Sequence, residues 1–145
     1  MAAKAKQLTG RSTDEDRSCL RVLLADDHRI VREGLRSLLR GECDVEILGE
    51  AMRGREAVDL AMRLEPDVVI MDVSMHLIDG DVATRRIKEH LPKTRVIALS
   101  TYNDPEVIKK IYRAGAEGYI LKTASSEELL AAIWGREPGS QKNIA

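Results

Sequence analysis

The sequence contains no phenylalanine, and aromatic residues make up only 3% of it. Any core must therefore be aliphatic. Long hydrophobic runs are also missing. None approaches the about 20 apolar residues needed to cross a bilayer, so no membrane role is expected. Lys4 and Lys6 near the N-terminus are not followed by an apolar segment, which excludes a secretory signal there. There are only two cysteines, Cys19 and Cys43, and they lack metal-ligand spacing. With no sign of export, reduced thiols in a cytoplasm are the expectation. Neither sign of charge is in excess: 23 basic and 24 acidic side chains leave a net charge of −1. That balance gives no general drive toward nucleic acid or an anionic membrane.

What is present is enough for one domain with a real core: 145 residues, 43% hydrophobic and 32% charged. The stretch Asp67-Val68-Val69-Ile70-Met71-Asp72 organises the rest. A short unbroken apolar run rich in β-branched residues reads as a strand buried on both faces, as in a parallel sheet. Asp72 then lies at its carboxyl end. In open α/β sheets that edge is where ligands bind.

Other elements alternate around it. Residues 1–19 carry little to bury and read as a disordered extension. Leu20 to Ala25 reads as a first strand, ending at Asp26-Asp27-His28. Val31, Leu35, Leu38 and Leu39 share one helix face, stopped at Gly41. Val45 to Gly49 alternates, which suits an edge strand. Gly54 precedes a helix with Ala57, Leu60, Ala61 and Leu64 on one face. After Asp72, Asp79-Gly80 signals a turn, followed by a helix with Val82, Ala83 and Ile87 inward and Pro92 at its close. Thr94 to Leu99 reads as a fourth strand, ending at Ser100-Thr101. Asp104-Pro105-Glu106 has the form of an N-cap with Pro in the first turn, opening a helix striped by Val107, Ile108, Ile111 and Tyr112. Tyr119-Ile120-Leu121 is a fifth strand with Lys122 at its end. Ser125 or Ser126 caps a last helix, with Glu128 placed for a capping box and Leu129, Leu130 and Ile133 inward. Gly135 ends it, and residues 136–145 read as a tail or truncated linker.

Five strand–helix units in strict alternation predict a flavodoxin-like, doubly wound α/β domain over residues 20–135. Its five parallel strands take the order 2-1-3-4-5, with helices on both faces. In that order strands 1 and 3 are neighbours, and a crevice opens at their carboxyl ends. Asp26, Asp27, Asp72, Ser100 and Lys122 all fall on this rim. Taken singly, each has a plain reading. Asp26 or Asp27 could cap a helix, Asp72 could sit in a turn, and Ser100 and Lys122 could be solvated. Together they form a chemical set. Three carboxylates in one crevice repel each other, and a hard divalent cation removes the conflict. Mg²⁺, with Mn²⁺ as a substitute, shares its shell with phosphate oxygens, and an Asp can act as nucleophile toward phosphorus. Mg²⁺, Lys122 and Ser100 could each cover one phosphoryl oxygen.

From about Arg21 to Ile133 the chain resembles the receiver domain of a bacterial two-component response regulator. The matching pieces are Leu-Leu-Ala-Asp26-Asp27-His, Val-Val-Ile-Met-Asp72-Val-Ser-Met, Asp79-Gly80, Ala-Leu-Ser100-Thr and Ala-Gly-Ala-Glu-Gly-Tyr119-Ile-Leu-Lys122. Its start and end are most similar to the nitrate- and quorum-type subfamily, in which a helix-turn-helix domain follows the receiver. The resemblance implies that Asp72 is the phosphoacceptor, supplied by a sensor histidine kinase. It implies that Asp26, Asp27, Asp72 and the backbone carbonyl of Ser74 hold the metal, with Asp26 acting through water. Ser100 and Lys122 contact the phosphoryl group. Ser100 and Tyr119 form the switch, and Ser74 and Tyr102 line the path of the water that removes the phosphoryl group. The surface around Ile108, Tyr112 and Trp134 carries the output. Homodimerisation on activation is expected, with DNA contacted only through a C-terminal domain absent from this chain.

Two positions depart from the family pattern. His76 stands where proline is usual, and Thr123 follows Lys122 where proline is common. His28 and His90 read as structural or solvated. Two other functions compete. An Asp-nucleophile phosphatase needs a second carboxylate two residues after its nucleophile, but Ser74 is there. A receiver-like interaction module that never accepts phosphate would not need the intact acids, Ser100 and Lys122.

Overall fold

The apolar run after Asp67 forms the middle of the sheet. In the computed structural model, which describes residues 19–75 and 79–135, β3 (Val68–Asp72) is buried along its whole length. Its neighbours are β1 (Leu20–Ala25) and β4 (Arg95–Ser100), with β2 (Val45–Ala51) and β5 (Gly118–Leu121) at the edges. All pairings are parallel, in the order β2-β1-β3-β4-β5. The helices are α1 (Arg29–Arg40), α2 (Gly54–Leu64), α3 (Gly80–His90), α4 (Pro105–Arg113) and α5 (Ser126–Ile133). The expected architecture and strand order are those observed. The expected terminal segments, apart from Cys19, and His76 lie outside the described residues.

The period-2 geometry of the strands sorts the core into two halves. Val22, Leu24, Val68, Ile70, Ile97 and Leu99 meet Leu35 and Leu39 of α1 and Leu129 and Ile133 of α5. Leu23, Val69, Met71, Val96 and Ala98 point the other way, to Ala57 and Ala61 of α2, Ala83 and Ile87 of α3, and Ile111 of α4. This second half is rich in alanine. Small side chains let helices approach the sheet closely, so a core without phenylalanine still closes.

Several local signals act as the sequence suggests. Asp104 caps α4 by accepting from the Glu106 N–H at 3.0 Å, with Pro105 in the first turn. Ser125 caps α5 through the Glu128 N–H at 3.1 Å. Others differ. Tyr112 is 46% exposed, so the inward face of α4 rests mainly on Ile111. Gly54 is the first residue of α2 rather than a residue before it. Asp79-Gly80 is the start of α3, with Asp79 at the N-cap. A Cβ on Gly80 would collide with the Asp72 carbonyl oxygen and stand 2.7 Å from Val73 Cα. Glycine therefore serves close backbone approach at this point. The Gly80 N–H donates to the Val73 carbonyl at 3.1 Å, tying α3 to the residue after Asp72.

Candidate phosphoryl-acceptor site

Register carries the chemistry to one edge. Ala25 pairs with Met71, so the next residues, Asp26 and Asp72, stand side by side. Ser100 pairs with Leu121, which puts Lys122 one residue beyond it. Backbone bonds extend the ladders past the strand ends: Asp26 N–H to Ala51 at 3.0 Å, Val73 N–H to Leu99 at 3.0 Å, and Lys122 N–H to Ser100 at 2.8 Å. The five residues expected at the rim are therefore placed there by the sheet itself.

Asp26 and Asp72 are buried, at 0% and 1% exposure, and Ser100 is buried with them. Asp27 is partly exposed. Lys122 Nζ lies 3.0 Å from Asp26 Oδ2 and 3.4 Å from Asp72 Oδ2. The Ser74 N–H donates to Asp72 Oδ1 at 3.0 Å. Burial pushes the Asp72 carboxyl above the usual range. The Ser74 bond opposes this, the Asp26 charge adds to it, and Lys122 opposes it. Asp26 Oδ2, Asp27 Oδ1 and Asp72 Oδ2 are shielded from water yet accept no hydrogen bond from the described residues. The Lys122 ammonium, at 3.0 and 3.4 Å, offsets part of the charge on two of them. Oxygens so arranged are costly unless a cation joins them, so the donor set fits a hard divalent ion.

The Ser100 hydroxyl donates to the Tyr102 carbonyl at 3.0 Å and accepts from the Tyr102 N–H at 3.1 Å. The Tyr119 hydroxyl donates to the same carbonyl. Tyr119 is half-buried, and the Tyr102 side chain is 71% exposed.

Two residues at the site escaped the sequence reading. His28 is not simply solvated. Its Nδ1 lies 3.1 Å from Asp26 Oδ1 and 3.2 Å from Asp27 Oδ1, and its backbone caps the start of α1. Adjacency in Asp26-Asp27-His28 was the available signal. Arg32 donates from Nη1 to the Asp26 carbonyl at 2.8 Å, while its Nε reaches Glu50 Oε1 at 3.2 Å. Arg36 pairs with the same Glu50. These contacts brace the loop that holds Asp26. No local pattern announces them, because Glu50 comes from a different strand.

This strand order, with its acidic carboxyl edge beside a lysine, defines the signal-receiver class of doubly wound domains. The chain belongs to the response regulator receiver domain family, whose family model matches residues 22–134. It is 41% identical over 123 residues to the transcriptional regulatory protein LiaR of Bacillus subtilis (strain 168), covering 85% of this chain and 58% of that protein. The chain thus spans little more than half the length of that relative. Among solved structures it resembles a LuxR-family two-component response regulator from Aurantimonas sp. SI85-9A1, with TM-score 0.76 and 29% identity over 88% of this chain and all of the other. A CheX–CheY–BeF3–Mg²⁺ complex from Borrelia burgdorferi matches with TM-score 0.77 and 25% identity, over 86% of this chain and 95% of that one. Among the described residues no helix is long and apolar enough to cross a membrane.

Proposed function

We propose that Asp72 accepts a phosphoryl group from the phosphohistidine of a sensor histidine kinase. The observation that carries this reading is the trio of shielded, unsatisfied carboxylate oxygens beside Lys122. In the transfer, the phosphorus–nitrogen bond of the donor breaks as a bond from phosphorus to an Asp72 carboxylate oxygen forms. The Lys122 ammonium, already 3.4 Å from Asp72 Oδ2, neutralises charge on the incoming oxygens. The Ser100 hydroxyl exchanges its backbone acceptor for a phosphoryl oxygen, a stronger, charge-assisted partner. The Ser74 N–H holds the Asp72 carboxylate in one orientation.

Asp26, Asp27, Asp72 and the Ser74 carbonyl would hold Mg²⁺ or Mn²⁺, with Asp26 acting through water. The ion supplies charge neutralisation for oxygens that gain charge during transfer. The likeness to a beryllofluoride–Mg²⁺ complex of a related receiver supports this reading. Water would approach the phosphorylated site past Ser74 and Tyr102. The output is transcriptional, as it is for the transcriptional regulatory protein LiaR. It runs through a DNA-binding domain outside this chain and through homodimerisation of the phosphorylated form. Residues 20–135 constitute the receiver unit, working in a cytoplasm.

The test is labelling with acetyl phosphate and Mg²⁺. Wild type should gain one acid- and base-labile phosphoryl group, read by intact-protein mass spectrometry, and Asp72→Asn should gain none. Equal labelling of the two proteins would overturn the assignment.

A further inference from the structure

A nitrogen base stands among the carboxylates. His28 Nδ1 lies 3.1 Å from Asp26 Oδ1, 3.2 Å from Asp27 Oδ1 and 3.8 Å from Asp72 Oδ2. The backbone fixes it there. The His28 N–H donates to Asp26 Oδ1 at 2.8 Å, and the residue is the N-cap of α1. One donor atom from each of Asp26, Asp27, His28 and Asp72 lies within 4.8 Å of the other three. Independently, Asp26 Oδ2, Asp27 Oδ1 and Asp72 Oδ2 are shielded and accept no hydrogen bond.

We propose that His28 Nδ1 is itself a ligand to the ion in this crevice, so that the site favours first-row transition ions over Mg²⁺. The inference rests on the metal-dependent reading above and adds the identity of the metal. In an octahedral shell with bonds of about 2.1 Å, adjacent donors stand about 3 Å apart and opposite donors about 4.2 Å. The separation of 3.2 Å from His28 to Asp27 matches adjacent donors, and the 3.8 Å to Asp72 falls between the two. With the ring proton on Nε2, Nδ1 offers a lone pair to the same space as the carboxylates. Lys122 Nζ stands 3.4 Å from Nδ1, and an ion held by that lone pair would take its place as the neighbouring positive charge. The side chain is 60% exposed, which leaves the rest of the ring access to water. In that tautomer the converging lone pairs repel, and a positive centre between them removes the repulsion. A shell of oxygens alone suits Mg²⁺ and Mn²⁺, whereas imidazole suits later first-row ions such as Ni²⁺ and Zn²⁺.

The experiment titrates the full chain with Mg²⁺ and with Co²⁺ by calorimetry at one neutral pH, for wild type, His28→Ala and His28→Gln. In parallel, electron spin-echo envelope modulation of the Mn²⁺-loaded wild type looks for coupling to an imidazole nitrogen. The expected result is a nitrogen signal, together with a loss of Co²⁺ affinity of about tenfold or more in both variants. Mg²⁺ affinity should change far less. An Mn²⁺ spectrum without nitrogen coupling would overturn the proposal, even if a variant failed to fold. So would variants that bind Mg²⁺ and Co²⁺ equally more tightly, since His28 would then only occupy the ion's place. A wild type that binds neither ion would instead remove the metal-dependent reading beneath it. A normal Mg²⁺ isotherm without the nitrogen signal would leave that reading intact.

Discussion

Ser100 and Tyr119 donate their hydroxyls to one acceptor, the main-chain carbonyl oxygen of Tyr102. The end of β4 and the aromatic residue of β5 are thereby joined through a single backbone group. Tyr119 also packs against the core half formed with α2, α3 and α4. A phosphoryl group on Asp72 that draws away the Ser100 hydroxyl removes one of the two bonds to that carbonyl. This is a local electrostatic event acting on a two-state element. In nuclear magnetic resonance spectra, beryllofluoride with Mg²⁺ should shift resonances from Asp72 through Ser100 and Tyr102 to Tyr119 and α4. In Ser100→Ala the shifts should stop at the loops around Asp26, Asp27 and Asp72. An equally wide spread in that variant would sink the coupling through Ser100.

Tyr102 should set the lifetime of the phosphorylated protein. Its backbone is tied to Ser100 on both sides, at 3.0 and 3.1 Å, while its ring is largely exposed above the rim. A bulky ring there hinders water approaching in line with the bond from Asp72 to phosphorus. Tyr102→Ala keeps the backbone contacts and should shorten the lifetime, by about tenfold if the ring adds about 1.4 kcal/mol to the barrier. The decay of the phosphoryl label checks this. An unchanged rate would show that the ring points away from the path.

Asp72 should destabilise the metal-free fold at neutral pH. Burial raises its carboxyl above the ordinary value, so the folded chain holds the proton more tightly than the unfolded chain. The stability supplied by the protonated form is fully present below the unfolded value. It is lost as pH rises through the folded one. Asp72→Asn, in the presence of a chelator, should therefore gain about 1–3 kcal/mol at neutral pH. The gain should shrink as pH falls toward the ordinary carboxylate range. Lys122 keeps Asp26 as a partner at 3.0 Å, so the substitution strands no charge. Urea melts across the pH range provide the measurement. A less stable variant at neutral pH would mean that Lys122 outweighs the burial.

Gly80→Ala should act at a distance from its own side chain. The added Cβ would overlap the Asp72 carbonyl oxygen, and backbone cannot move aside as a flexible side chain can. A loss of about 3 kcal/mol is expected, the upper end for overpacking. Labelling of Asp72 should fall too, because the strand end that presents it must shift. A variant with wild-type stability and labelling would show that α3 can retreat freely.

The sequence alone was sufficient for the elements and their order. The run Val68–Met71 had to be a strand buried on both faces, because nothing polar interrupts it. The spacing of Leu35 and Leu39 had to be a helix face, Asp104-Pro105 had the form of a cap, and Ser125 or Ser126 had to be another. Alternation then left few topologies, and the carboxyl edge named Asp26, Asp72, Ser100 and Lys122 together. Those signals are local: each depends on a period, a cap or a strand end a few residues long.

Tertiary structure decided the rest. Gly80 reads as a turn residue in the sequence, yet its smallness answers to the backbone of β3, eight residues earlier in the chain. Tyr112 completes an apolar stripe on paper but stays 46% exposed, because only part of α4 reaches the sheet. His28 reads as structural or solvated in the sequence, and only the pairing of β1 with β3 brings Asp72 within 3.8 Å of its ring. Glu50 becomes the shared partner of Arg32 and Arg36 only when β2 pairs with β1. In each case the deciding neighbour is brought in by packing or by parallel pairing. A parallel crossover joins residues far apart in the chain, and no local pattern records who those neighbours will be.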